Sequence, residues 1–107
     1  MTDYTLIETL SDQISSIQPE SIISRTIYKD DHMKTILFGF DTGQELSEHT
    51  SSQRAIIQII QGDATVTLED DTHELTVGAW IQMPPHLKHS ILAKTPLLML
   101  LLLFGTD

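Results

Sequence analysis

Apolar and polar positions alternate along most of this chain, in runs too short for most helices. Met33 to Phe40 sets the pattern, with Ile36, Phe38 and Phe40 on one face and Thr35, Leu37 and Gly39 on the other. Ile22 to Tyr28 is rich in β-branched residues, and Lys29-Asp30-Asp31-His32 forms a polar turn, so the two runs predict a hairpin. Further on, Ala64, Val66 and Leu68 alternate with Thr65, Thr67 and Glu69, as in a strand with one wet face. Glu69-Asp70-Asp71-Thr72 then turns into a short strand around Leu75 and Val77, with His73 on its exposed side. Trp80 and Ile81 start another short strand, which Pro84-Pro85 stops because proline cannot donate to a ladder. Ser90 to Ala93 follows as a strand of its own.

Two runs depart from this alternation. Ala55 to Ile60 is apolar except for Gln58, and Leu97 to Phe104 is apolar throughout, bracketed by Pro96 and Gly105. Both predict strands covered on both faces. Leucine would permit a helix in the last run, but its short length and strand-rich context favour a strand, and it falls far short of the ~20 residues a membrane helix needs. A small barrel has only one interior, so the outer face of these strands requires a second cover: the N-terminal segment, another sheet or a partner chain. A homodimer is therefore expected. In the N-terminal segment, Leu6, Ile7, Leu10, Ile14 and Ile17 recur at mixed three- and four-residue intervals, which predicts a short helix ended by Pro19. Ser, Thr and Asp dilute it, and an extended arm is the alternative. Many short strands with close turns imply a closed or two-sheet antiparallel architecture, with sandwich and barrel undecided at this point.

The chemistry-bearing residues gather in two segments. In Gly43 to Gly62, His49 stands in a polar loop ahead of the Ala55 to Ile60 run; in Gly78 to Ala93, a short strand and the Pro84-Pro85 turn lead to His89. The spacing of Gly43, His49, Gly62, Gly78, Pro84 and His89 resembles the paired motifs of the cupin superfamily, over roughly half the chain. The resemblance implies an all-β fold, an antiparallel double-stranded β-helix or jelly-roll barrel with a short N-terminal helix or arm. It implies one cupin domain over residues 1–107, with an arm at 1–21 and the barrel at 22–104. In cupins that bind metal, motif residues place three histidines and a glutamate around one divalent ion. Carried over by position, His49 and His89 remain, Ser51 stands where the second histidine would, Ala55 where the glutamate would, His86 at a glycine position and Ala93 at an asparagine position.

Two imidazoles suit Zn, Ni, Fe or Cu, whereas a catalytic zinc site keeps three protein ligands. The metal candidates are thus His49 and His89, with His86 a lesser one from the proline turn. Gln53 and Gln58 are conceivable replacements, although strand parity points Gln58 away from Ala55. Otherwise His49 and His89 are a hydrogen-bonded pair lining a pocket, His86 and His32 are solvated turn residues, and Glu45 and Glu48 are loop charges. Ser51 and Ser52 lack a carboxylate-oriented base and form no nucleophilic triad.

Charge and composition narrow the partners. Six Lys and Arg against fifteen Asp and Glu give a net charge of −9, which disfavours nucleic acid. Arg54 and Lys88 adjoin the two motifs, where they would draw an anionic ligand to the pocket mouth or pair with surplus carboxylates. No cysteine is present, which removes disulfide and thiolate chemistry. The acidic start lacks the layout of a signal peptide, so a cytoplasmic location without membrane contact is expected. The leading expectation is a cupin that binds a small molecule in its barrel, with metal weak or absent. The alternatives are a metal-dependent cupin enzyme of oxygenase or isomerase type using His49 and His89, and a structural or interaction protein with an empty pocket.

Overall fold

The computed structural model describes residues 3–105, and among these the chain forms nine strands. They are β1 (Ile22–Lys29), β2 (Met33–Phe40), β3 (Glu45–His49), β4 (Arg54–Gln61), β5 (Ala64–Leu68), β6 (Asp71–Leu75), β7 (Trp80–Met83), β8 (His89–Ala93) and β9 (Leu97–Phe104). Two antiparallel sheets result, one in the order β1-β2-β9-β4-β7 and the other β3-β8-β5-β6. Apart from the β1–β2 and β5–β6 hairpins, each connection passes from one sheet to the other, which makes a two-sheet jelly roll.

The central position of β9 explains its unbroken apolar sequence. Leu97, Met99, Leu101 and Leu103 alternate with Leu98, Leu100 and Leu102 across the two faces of the five-stranded sheet. The first set faces the opposing sheet and packs in the main core with Phe40, Ile57, Ile59, Val66, Met83 and Ile91. Each such aliphatic or aromatic side chain, once buried, contributes about 1.5–3 kcal/mol relative to exposure. The second set packs outside the barrel with Leu37, and Ile14 of the N-terminal segment seals it, with Leu10 and Ile17 alongside. Gly39 permits this cover, since a Cβ there would press on Ile17 and Ile23. Of the covers the sequence demands, the N-terminal segment therefore supplies one for β2 and β9.

That segment is an arm rather than a helix. Among the described residues its only helical piece is a 3-10 turn, Leu10–Gln13, whose preceding Thr9 makes no side-chain cap. Spreading Leu10, Ile14 and Ile17 over a flat sheet suits an extended path better than a helical stripe. Arg25 of β1 fastens the arm by donating from its guanidinium to the Gln13 carbonyl at 3.0 Å.

Three other expectations shift. Glu45–His49, expected as loop, is strand β3: its polar side chains carry no alternation, yet it pairs with β8 along the sheet's edge. The strand expected around Leu75 and Val77 ends at Leu75, and Val77 is exposed in the turn beyond it. His73 is exposed as expected, but it stands opposite buried Val66 and so on the inward face of edge strand β6. Gly62 shows why the chain needs glycine after β4: φ is +89°, and a Cβ would run into the Pro96 carbonyl. No helix among the described residues is long and apolar enough to cross a membrane.

Candidate functional site

Strand directions bring the chemistry to one end. The antiparallel ladders place the ends of β3, β7 and β9 beside the starts of β2, β4 and β8. The loop after β3 and the loop after β7 meet there, where the His86 amide donates to the Ser51 carbonyl at 2.7 Å. His86 adopts φ +70°, the left-handed conformation that glycine tolerates best. That backbone explains why the related motif has glycine at this position.

His49 and His89 are directly opposed across the β3–β8 ladder, with ring centroids 4.2 Å apart at an interplanar angle of 58°. Directly opposed residues share a face, and His89 shares its face with buried Ile91 and Ala93. His49 reaches that face through a bulge. Leu46 pairs with Ile91 and His49 with His89, so three steps along β3 match two along β8. In a regular strand Leu46 and His49 would face opposite ways; the extra residue returns His49 to the inside. His89 is buried at 7 % exposure while His49 is exposed, so the pair spans from the interior to the rim.

Both rings are oriented in the same manner. Nδ1 of His49 lies 2.7 Å from the Ser47 carbonyl, and Nδ1 of His89 lies 2.9 Å from the Leu87 carbonyl. A carbonyl only accepts, so each Nδ1 carries a proton and each neutral ring presents a bare Nε2 lone pair. Burial holds the His89 pKa below the ordinary imidazole value, the Leu87 bond opposes this, and nearby His49 adds to the lowering. A neutral His89 with an acceptor nitrogen is the form suited to a hydrogen-bond donor or a metal ion.

A metal shell would need more donors. Ala55 is 3 % exposed and has none, and Ser51 Oγ accepts the Gln53 amide at 3.0 Å. Gln53 turns its side-chain amide to the carbonyls of Phe104 and Gly105, at 3.5 and 3.4 Å. Gln58 stands opposite Leu100 and Trp80 on the outer face, as parity requires. No three His, Asp or Glu side chains gather as a metal-binding group among the described residues, so His86 does not join His49 and His89. Two imidazoles fit two positions of a metal shell, and the described residues leave the rest unfilled.

The rim holds two cations that sequence reasoning passed over. Lys29 and Lys34 are directly opposed across the β1–β2 hairpin, and Lys34 is opposed to inward-facing Leu103. The signal was legible: Lys34 continues the parity of Ile36, Phe38 and Phe40. Arg54, singled out instead, has the parity opposite to Ala55 and so lies on the outer face, and Lys88 pairs its backbone with Glu69.

No protein-family profile and no curated protein matches the chain. Solved structures do match it. A conserved protein of unknown function from Streptococcus pyogenes is 25% identical at TM-score 0.84, covering 99% of this chain and 92% of its own. A cupin superfamily protein from Desulfitobacterium hafniense is 25% identical at TM-score 0.83, with 90% and 87% covered. An RmlC-like cupin from Desulfovibrio desulfuricans superposes at TM-score 0.79 over 100% and 99%, at 19% identity. By its fold, this chain is similar to small proteins of the cupin superfamily.

Proposed function

We propose that the chain is a small-molecule-binding protein whose ligand contacts His49 and His89 at the open end of the barrel, with metal weakly bound or not bound. The observation that carries this reading is the pair of anchored rings, 4.2 Å apart, each left with an acceptor nitrogen and with no third ligand grouped beside them among the described residues. Such a pair recognises a ligand through hydroxyl or N–H donors, against an apolar wall of the partly buried Leu46, Leu68, Leu101 and Leu103. No nucleophile or general acid is arranged here, so binding is the proposed activity.

Native mass spectrometry with elemental analysis, on protein purified without a histidine tag, tests the reading. A co-purifying small molecule with substoichiometric metal supports it. Stoichiometric metal that His89→Asn removes would instead favour the metal-dependent cupin enzyme, whose one supporting observation is that metal-bound histidines commonly donate their other nitrogen to a carbonyl as these do.

A further inference from the structure

At the rim, one row of inward-facing positions crosses the five-stranded sheet: Lys29, Lys34, Leu103, Ala55 and Met83. The opposing sheet brings His49 and His89 to the same end, and packed sheets lie about 10 Å apart. Lys29 and Lys34 line a cleft of about 620 Å3 together with Asp30, Asp31, Gln53 and Gly105. Like charges directly opposed across a strand pair are destabilising unless something neutralises them. This chain carries fifteen acidic residues against six basic ones, yet neither lysine has an ion-pair partner among the described residues. The nearest carboxylate in sequence is already committed. Asp30 accepts the Tyr28 hydroxyl at 2.7 Å through one oxygen, and the His32 and Met33 amides at 2.8 and 2.9 Å through the other. Those bonds fold it into the hairpin turn and hold its pKa below the usual carboxylate value, with the Tyr28 bond the largest cause. Asp31 alone among the cleft's acids keeps an uncommitted carboxylate.

The geometry points to an anion subsite: Lys29 and Lys34 together bind the oxyanion group of a small organic acid or phosphate ester at the barrel rim. It deepens the binding reading above, and rests on it for the rest of the ligand, by naming the ligand as an anion with hydroxyl or N–H donors beyond its charged group. The net charge of −9 repels extended polyanions, whereas a single oxyanion meets a local pair of ammonium groups. Asp31 competes with the anion and tunes its affinity.

The test is an amide NMR titration of the full chain at pH 7 and fixed ionic strength, with inorganic phosphate in one series and sodium acetate in another. Saturable shifts at Lys29, Lys34, Gln53 and Gly105 are expected with at least one anion. Saturation by phosphate alone identifies a phosphoryl group, by acetate alone a carboxylate, and by both an oxyanion in general. Lys29→Gln and Lys34→Gln should each weaken binding roughly tenfold, as loss of one charge-assisted hydrogen bond implies, and Asp31→Asn should tighten it severalfold. Lys94→Gln should change nothing. Shifts that stay linear with both anions, or that weaken equally in Lys94→Gln, overturn the subsite. Failure of the imidazole reading shows elsewhere: the side-chain 15N signals of His49 and His89 would ignore any co-purified ligand while the rim amides still saturate.

Discussion

The two faces of β9 are built from nearly the same residues and are protected by different means. Inside, Leu97 and Met99 meet a second sheet held by its own ladders, and they are 0 % and 1 % exposed. Outside, Leu98 and Leu100 meet an arm with one 3-10 turn, and they are 5 % and 8 % exposed. Burial is almost equal, but the cover is not. A sheet cannot withdraw from one position without breaking its hydrogen bonds, whereas an arm can shift locally over a side chain made smaller. Apolar composition alone therefore sets how much surface needs hiding, and topology sets how rigidly it is hidden.

The largest expected effect tests the inner face. Leu97→Ala leaves a cavity between two sheets and should cost about 3–4 kcal/mol in denaturant unfolding. Next comes the rim of that face. Ala55→Glu with Ser51→His places donors where the metal-binding relatives' motif has them, and the buried carboxylate should cost at least about 2 kcal/mol without metal. Thermal melts with Zn or Ni should then recover the loss, because added ligands complete a shell that two histidines leave open. Unchanged melting with metal would mean that the rim is not shaped for it.

Ile14→Ala tests the outer cover and should cost only about 1–2 kcal/mol, since the arm can settle onto the sheet. A cost equal to that of Leu97→Ala would erase the distinction between the two covers. The pH response reports on the buried histidine. The folded pKa of His89 is depressed below 6.5, so the unfolded chain binds more protons as pH falls through that value. Stability should be full above about 6.5 and should decline below it; His89→Gln should flatten that slope. The smallest effect on stability is expected at Trp80, 60 % exposed on the outer face opposite Gln58, where the arm does not pack. We propose that a second copy covers this part. Light scattering should then show a dimer that Trp80→Ala weakens while the melting temperature stays within a few degrees; a wild-type monomer at micromolar concentration would sink it.

How much was legible follows the same physics. β2, β4 and β9 were readable because one or both faces are buried, which leaves a period or an apolar run in the sequence. β3 was not, because an edge strand with exposed side chains satisfies its backbone without writing any pattern. The arm misled in part, since Leu10, Ile14 and Ile17 have intervals that suit a helix but are used by a flat surface. His49 and His89 were singled out by a spacing that resembles the cupin motifs, and the ladder does set them opposite one another. What spacing could not supply was the fixed tautomer, which depends on the Ser47 and Leu87 carbonyls, or the lysine pair, which depends on hairpin register.

The extra residue in β3 has a consequence for how this protein could change over time. Substitution at the rim alters the site gradually, one contact at a time. Losing a single residue between Leu46 and His49 would restore a regular ladder with the ring still inward, two steps from Leu46, whereas straightening the bulge at the present length would swing the His49 ring to the outside, though the histidine itself would still be there. An aligned relative of the same length that lacked the bulge would keep the histidine as a letter and lose it as a binding group. Among small barrels of this kind, gain and loss of a site can thus be a matter of strand register rather than of which residues are present.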